Sequence, residues 1–237
     1  MHRSALDSTS LDSIKFQQAF MSTKTKMNLN PVPSSPVKLG ILLSGRGSNF
    51  LAIAESIRAG RLKGVEIAVV ISNVAEAGGL TAARELGLPT ELFVSKGRKR
   101  AEHDAAVEAC LKAHGVDLVC LAGYMRLLSP AFIAAFHNRI LNIHPSLLPA
   151  FPGLEAQTQA FDYGAKVAGC TVHFVDEELD HGAIILQRAI PVLESDDAHS
   201  LAERILVEEH IAYSEAIGRV VSGQYELRGR RFVSISV

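Results

Sequence analysis

The amino-acid sequence predicts an α/β fold, with a Rossmann-like, mostly parallel sheet flanked by helices and an antiparallel C-terminal extension. Between residues 38 and 143, short apolar runs alternate with longer segments of helical spacing, a pattern typical of βαβ units. After Gly169, two strand-like runs follow one another with only a loop between them, which is the pattern of neighbouring antiparallel strands.

Seven short apolar runs, most of them rich in β-branched residues, predict the strands. They lie at residues 39–43, 65–71, 90–94, 117–121, 140–143, 170–175 and 183–190. In a sheet of this kind, ligands bind at the carboxyl ends of the parallel strands. Ser44, Gly123 and Asn142 emerge there, so we expect the functional site at that edge.

Five segments with apolar residues spaced three and four apart predict the helices. They lie at residues 48–59, 78–86, 98–114, 130–136 and 197–221. Gly87 and Pro89 end the second helix, and Gly115 ends the third. In the last helix, Glu208 and Glu209 fall at the flanks of the apolar face, where either a ligand contact or a solvated position is possible.

Residues 1–36 differ from the rest of the chain because they are rich in Ser, Thr, Asn and Pro. We expect a disordered leader without a role in catalysis, followed by one domain over residues 37–237. Asp7 and Asp12 argue against a transit peptide. A translation start at Met21 or Met27 is a further possibility.

Charge and cysteine usage exclude several kinds of partner. The 24 Lys and Arg residues balance the 25 Asp and Glu residues, so no general field attracts nucleic acid or a membrane surface. No apolar run approaches the roughly 18–20 residues that cross a bilayer. The three cysteines and the histidines lack metal-ligand spacing. We expect a cytoplasmic monomer or homodimer that uses no metal.

The segment from Asn142 to Pro149 holds the most informative chemistry. Asn142 and His144 are two residues apart, so their side chains leave a strand end on the same face. Pro145 stops the strand, which predicts that the imidazole stands at an exposed edge. A carboxylate from Asp180 would favour the protonated ring, and the Asn142 amide would donate to an oxyanion. A strand-end turn and a solvated acidic loop are the alternatives.

A glycine-rich turn joins the first strand to the first helix. Gly45 and Gly47 permit tight backbone geometry, and Ser48 and Asn49 offer donors at the helix N-terminus, which suits an anion. Phe50 replaces the third glycine of a dinucleotide fingerprint, so a single phosphate ester fits better than NAD or ATP. A capped turn without a ligand is the equal alternative.

Apolar side chains follow the strand at 117–121 and suggest a second pocket. Met125, Leu127 and Leu128 lie on one loop, together with the cation of Arg126. This mixture predicts a pocket for a flat apolar ligand. Core packing beneath the loop explains the same residues equally well.

Four ordered segments resemble the phosphoribosylglycinamide formyltransferase family, the folate-dependent enzymes of purine synthesis. The segments are residues 44–49, 121–130, 141–149 and 178–182, within a resemblance that covers about residues 38–225. The Asn-x-His and Leu-Asp-x-Gly pair alone marks only the wider formyltransferase superfamily. Arg46 and His181 depart from the family pattern, and His181 affects the loop expected to bind folate.

The resemblance implies that the chain moves the formyl group of 10-formyltetrahydrofolate to the amine of glycinamide ribonucleotide. It implies that His144 is the proton donor, that Asn142 contacts the oxyanion, and that Asp180 is the carboxylate beside the ring. The residues implied for the substrate phosphate and amine are Gly47, Ser48, Asn49 and Glu209. The residues implied for folate are Arg100, Met125, Arg126, Leu127, Leu128, Asn142, Asp176, Glu177, Glu178, Leu179 and Asp180.

Three alternatives to this function are less compatible with the sequence. A formyltetrahydrofolate hydrolase carries a folded N-terminal regulatory domain, for which residues 1–36 are too short and too polar. A methionyl-tRNA formyltransferase needs a further RNA-binding domain after the last helix. A non-catalytic nucleotide-binding module explains the glycine-rich turn but leaves Asn142, His144 and Asp180 unexplained.

Overall fold

A computed structural model describes residues 35–235, so the leader predicted for residues 1–36 lies almost wholly outside the described residues. The strands are β1 (Val37–Leu43), β2 (Val65–Ser72), β3 (Thr90–Leu92), β4 (Leu118–Leu121), β5 (Ile140–His144), β6 (Val167–Phe174), β7 (Ile184–Pro191), β8 (Tyr225–Arg228) and β9 (Arg231–Ser234). The helices are α1 (Ser48–Arg58), α2 (Gly78–Glu85), α3 (Arg100–Ala113), α4 (Pro130–Ala135), α5 (Ala156–Asp162) and α6 (Ala198–Val221).

Within the described residues, the strands form one sheet in the order β3-β2-β1-β4-β5-β6-β7-β9-β8. The first five strands in this order are parallel. β6 runs antiparallel to β5 and to β7, and β8 runs antiparallel to β9. β2 pairs with β1 on one side, and β4 pairs with β1 on the other, so the strand order reverses direction at β1. The carboxyl ends of β1 and β4 therefore flank the crevice where such sheets bind ligands.

Helices cover both faces of the parallel strands. On one face, Phe50 of α1, Leu80 of α2 and Ile205 of α6 belong to a single apolar cluster. On the other face, Leu111 of α3 and Phe132 of α4 belong to a second cluster. Strands that are buried on both faces need almost continuous apolar runs, which is the pattern seen in the sequence.

Helix α6 has a well-defined start. Asp197 Oδ1 accepts a hydrogen bond from the Ser200 backbone N over 2.7 Å, and Ser200 Oγ accepts one from the Asp197 backbone N over 2.9 Å. This reciprocal capping satisfies two N–H groups that the helix itself leaves free. None of the described helices is long and apolar enough to cross a membrane.

The predicted fold class is confirmed, and each of the predicted strands and helices is present with ends within three residues of those expected. Helix α5 and the hairpin of β8 and β9 were not predicted. α5 is short, and its buried positions are mainly Ala156 and Ala160, so its helical pattern is weak. The hairpin strands have only four residues each, which is too short for a clear alternation.

Candidate active site

His144 ends β5, and its ring lies beside the carboxylate of Asp180. His144 Nδ1 is 3.5 Å from Asp180 Oδ2, and both side chains are more than nine-tenths buried. On the other side of the ring, Nε2 donates a 3.0 Å hydrogen bond to the Phe151 carbonyl, because a carbonyl can only accept. When Nδ1 is also protonated, the ring donates in both directions and pairs with an anion.

A short segment, residues 150–155, holds this pair in place, and we call it the strap. The Gly153 backbone N donates over 2.8 Å to Asp180 Oδ2, the same oxygen that faces His144. Phe151, whose carbonyl accepts from His144, has a φ of 52°. A bulky residue rarely adopts this left-handed conformation, and it persists only where the surroundings impose it, often at functional sites.

His173 connects Asn142 to the same cluster. Its Nδ1 donates to the Phe174 carbonyl over 2.7 Å, and burial lowers the pKa of the ring below its usual value. The neutral ring therefore has an accepting Nε2, which lies 3.3 Å from Asn142 Nδ2 and 3.9 Å from Asp180 Oδ1. One Asn142 N–H is thereby oriented, and the second remains available to a ligand.

The expectation about His144 was wrong, and the part played by His173 was missed. His144 does not stand at an exposed edge, because it is 5% exposed and pairs with Thr171 of β6. Pro145 ends β5, but it does not prevent β6 from pairing with the edge of β5. The sequence assigned no role to His173, whereas the antiparallel register places it directly opposite Asn142. The position of His173 could have been inferred only if the register between β5 and β6 had been known.

The glycine-rich turn after β1 packs backbone against backbone. Gly47 has a φ of 78°, and a Cβ at this position would lie 2.8 Å from the Cα of Gly79. The Gly79 N donates to the Gly45 carbonyl over 3.0 Å. No side chain of the described residues caps α1, which begins at Ser48. Its first N–H groups therefore lack side-chain acceptors at the positive end of the helix dipole, a setting that suits an anion.

Ser44 connects the loops after β1 and β4 through hydrogen bonds. Its backbone N donates to the Gly123 carbonyl over 3.0 Å, and its Oγ accepts from the Met125 backbone N over 2.8 Å. The same hydroxyl donates to Asn73 Oδ1 over 2.6 Å. These bonds fix the two sides of the crevice relative to each other.

Asn49, the second residue of α1, contacts Glu209 of α6. Asn49 Nδ2 donates to Glu209 Oε2 over 2.7 Å, and Glu209 is 6% exposed. Burial raises the pKa of this carboxyl, and the Asn49 hydrogen bond partly offsets the effect. Asn49 Oδ1 is buried without a partner among the described residues, so it offers an acceptor to a ligand donor. Glu208 instead pairs with Arg188.

The loop after β4 exposes two of its three predicted apolar residues. Met125 and Leu127 are 70% and 56% exposed, so the loop presents two apolar side chains close together to solvent. Leu128 is buried in the cluster beneath α3 and α4. Core packing therefore explains Leu128, which anchors the loop, while the exposed tip with Met125 and Leu127 remains open to an apolar ligand.

Asp104 of α3 makes polar contacts with the loop after β4. Its Oδ2 accepts from the Ser129 backbone N over 2.6 Å, and its Oδ1 lies 3.3 Å from His103 Nδ1 and 3.8 Å from Arg126 Nε. His103 Nε2 donates to the Phe93 carbonyl. Asp104 is almost fully buried, and the Ser129 N–H and the nearby Arg126 guanidinium compensate its removal from water.

The loop of residues 176–182 is folded by its own polar groups. Asp176 accepts from the Glu178 backbone N over 3.1 Å and from His181 Nδ1 over 2.9 Å. A Cβ at Gly182 would lie 1.9 Å from the Phe174 carbonyl, so only glycine closes the loop here. The remaining residues implied for folate are exposed, namely Arg100, Glu177 and Leu179.

A cavity of about 230 Å³ lies beside Asp180. Its lining residues are Leu148, Pro149, Asp180, Gly182, Ile184 and Arg230. Arg230 also donates to the His181 carbonyl, which ties the turn of the C-terminal hairpin to the 176–182 loop. The Leu148–Pro149 peptide, for which the sequence left both isomers open, is cis. Within residues 35–235, no group of three His, Cys, Asp or Glu side chains is arranged so that it could hold a metal ion.

The fold and the site together define an α/β enzyme with a histidine–carboxylate pair at the carboxyl end of a parallel strand. Residues 37–217 match the family model described as formyl transferase. The phosphoribosylglycinamide formyltransferase of Escherichia coli (strain K12) is 39% identical over 188 residues, which cover 79% of this chain and 88% of the relative. Glycinamide ribonucleotide transformylase 1 from Symbiobacterium toebii has a crystal structure that superposes with a TM-score of 0.83 at 50% identity, covering 90% of this chain and 100% of the other.

The trifunctional purine biosynthetic protein adenosine-3 of Homo sapiens is 39% identical over 218 residues, or 92% of this chain. This chain spans only 22% of that relative's length. The chain belongs to the formyl transferase family, in which it groups with the phosphoribosylglycinamide formyltransferases. The resemblance inferred from the four sequence segments is confirmed.

Proposed function

We propose that this chain transfers the formyl group of 10-formyltetrahydrofolate to the amine of glycinamide ribonucleotide, a step of purine biosynthesis. Family membership supports the class of reaction. The observation that carries the residue assignment is the contact of His144 with Asp180, to which His173 joins Asn142. We propose two separate ligand positions for this site, one for each reactant.

The reaction we propose is direct attack of the substrate amine on the formyl carbon. The carbonyl oxygen becomes an oxyanion, which accepts a hydrogen bond from the free N–H of Asn142 and is stabilised by the positive charge of protonated His144, whose two N–H groups face the Phe151 carbonyl and Asp180. Proton transfer from the attacking nitrogen to the folate nitrogen then releases tetrahydrofolate and leaves the formylated amine. Asp180 stabilises the charged ring throughout. No covalent enzyme intermediate is needed, because holding both reactants in attack geometry alone contributes ~7–11 kcal/mol.

Glycinamide ribonucleotide would lie between α1 and α6. The phosphate fits the N-terminus of α1, where Gly47, Ser48 and Asn49 offer N–H groups at the positive end of the helix dipole. The amine fits beside Glu209, where the carboxylate and the unpartnered Asn49 Oδ1 are both acceptors. A phosphate and an amine are thus recognised by groups of complementary charge.

The folate would lie on the other side of Asn142. Exposed Met125 and Leu127, with Arg126 and Leu128 beneath them, offer an apolar surface for a flat ring. The 176–180 loop, with Asp176, Glu177, Glu178, Leu179 and Asp180, forms the opposite wall, and Arg100 supplies a cation nearby. We place the enzyme in the cytoplasm, where the free thiols of its cysteines remain reduced. We propose a monomer or a homodimer as its assembly.

An absorbance assay of 10-formyltetrahydrofolate consumption, with and without glycinamide ribonucleotide, tests the proposal. We expect consumption only when both compounds are present. Consumption at the same rate without the amine would identify a hydrolase instead, since water would then be the attacking group. A purified, folded chain that consumes no formyl donor under either condition would favour the non-catalytic nucleotide-binding module.

A further inference from the structure

Tyr213 of α6 is a fully buried polar side chain that the proposed reaction does not use. It is 0% exposed, and its hydroxyl lies 3.1 Å from the Leu121 carbonyl and 3.0 Å from the Leu141 carbonyl. Because carbonyls only accept, the single O–H is shared between the two. One helix side chain therefore bonds to the backbone of two neighbouring parallel strands, β4 and β5.

The two carbonyls stand directly before the residues that form the site. The Leu141 carbonyl belongs to the same peptide group as the Asn142 nitrogen, so a shift of this group moves Asn142. The Leu121 carbonyl ends β4 and leads to Gly123, whose own carbonyl accepts from Ser44. The hydroxyl thus contacts the end of β4 and the peptide of β5 that directly precedes Asn142.

The same helix face presents Glu209 one turn before Tyr213. Residues four apart on a helix lie on one face, so a rotation or shift of α6 moves both together. Glu209 bonds to Asn49 at the proposed amine position, while Tyr213 bonds to the strand that presents Asn142. Burial raises the pKa of the Tyr213 phenol well above its usual value, which keeps the hydroxyl a donor.

We propose that Tyr213 is a positioning residue, whose hydroxyl fixes the distance between α6, which presents Glu209, and β5, which presents Asn142 and His144. The inference rests on the proposed function, because it concerns how the two reactants are aligned. Apolar packing around the ring resists separation of helix and sheet but has little directionality. Hydrogen bonds to two carbonyls constrain direction as well, and near-attack geometry requires reacting atoms within ~3–3.5 Å.

Tyr213→Phe tests the proposal, because it removes the hydroxyl and keeps the ring. We expect kcat to fall at least ~10-fold, while both KM values change less than about twofold, since each reactant keeps its own binding groups. The matched control is Ile217→Val, one turn further along the same buried face. It removes a core methylene without touching either carbonyl, so it should lower the melting temperature and leave kcat unchanged.

A second measurement does not depend on activity. In ¹H–¹⁵N spectra of the complete chain, the Asn142 and Ala122 amides share peptide groups with the two carbonyls, so their resonances should shift in Tyr213→Phe and not in Ile217→Val. Unchanged resonances at both amides, a normal kcat, or equal loss of kcat in the two variants would each overturn the positioning role. A wild-type protein without transfer activity would overturn the proposed function instead, and the amide shifts would still decide whether Tyr213 positions the strands.

Discussion

Asn49 donates its side-chain amide to Glu209 over 2.7 Å, although the two residues are 160 positions apart in the chain. This buried bond joins the N-terminus of α1, which suits a phosphate, to the helix that supplies a carboxylate. The two ends of a small phosphorylated amine would therefore meet their binding groups at one place. Each of the following predictions concerns a contact that this arrangement depends on.

Replacement of Glu209 by Gln should stabilise the fold and weaken the activity. Burial raises the Glu209 pKa, so the folded chain holds the proton more tightly than the unfolded chain, and stability falls as pH rises above the ordinary value of 4.5. Glu209→Gln keeps an acceptor for Asn49 but has no charge to bury. We expect its melting temperature to exceed that of the wild type at pH 8, with the difference shrinking toward pH 5.

Glu203→Gln, at an exposed position of the same helix, is the control for this comparison. It should change the melting temperature little at either pH, because an exposed pair contributes little to stability. A Glu209→Gln variant that melts below the wild type at pH 8 would contradict the expected cost of the buried charge.

His144→Ala should lower kcat at least ~10²-fold, the usual scale for loss of an acid–base group. Binding of glycinamide ribonucleotide should be kept, because its proposed contacts lie in α1 and α6. Steady-state kinetics and calorimetric titration measure the two effects separately. His137→Ala, at an exposed histidine after α4, should leave both unchanged. Turnover of His144→Ala near that of the wild type would remove His144 from the reaction.

His173→Gln should reduce the loss of stability that the wild-type fold undergoes in mild acid. Burial lowers the pKa of His173 below its ordinary value of 6.5, so the unfolded chain binds this proton more readily and stability falls as pH drops below 6.5. Gln does not titrate and still offers an acceptor to Asn142. Between pH 7 and pH 5, we expect melting temperatures to fall more steeply for the wild type than for the variant. Parallel curves would show that His173 is not buried in its neutral form.

Asp104→Ala should weaken both the fold and the loop that we propose to bind folate. The change leaves the Ser129 N–H and the Arg126 guanidinium without their buried carboxylate, a loss of ~3–5 kcal/mol in the free energy of unfolding. Urea unfolding measures this loss, and we expect KM for the formyl donor to rise because the Met125 loop loses its support. Glu108→Ala on the same helix removes a surface pair with Lys112 and should cost only ~0.3–0.5 kcal/mol. Equal effects of the two changes would show that Asp104 has no special role.

Local features of the site were predictable from the sequence. Asn142 and His144 lie together because a strand repeats every two residues, which needs no knowledge of the rest of the fold. The glycines of the turn before α1 were equally visible, because their backbone geometry is a local property. His173 was missed because its place opposite Asn142 depends on the register between β5 and β6, and that register is set by hydrogen bonds between distant segments.

The sequence by itself determined the alternation of strands and helices, the glycine-rich turn, the Asn142–His144 pair and the family. These follow from side-chain period and short motifs, which act over a few residues. Only the tertiary structure decided that Glu209 contacts Asn49, that the strap holds Asp180 against His144, and that Tyr213 joins two neighbouring strands. Such contacts arise between segments far apart in the chain, so they depend on how the loops close and how α6 packs on the sheet.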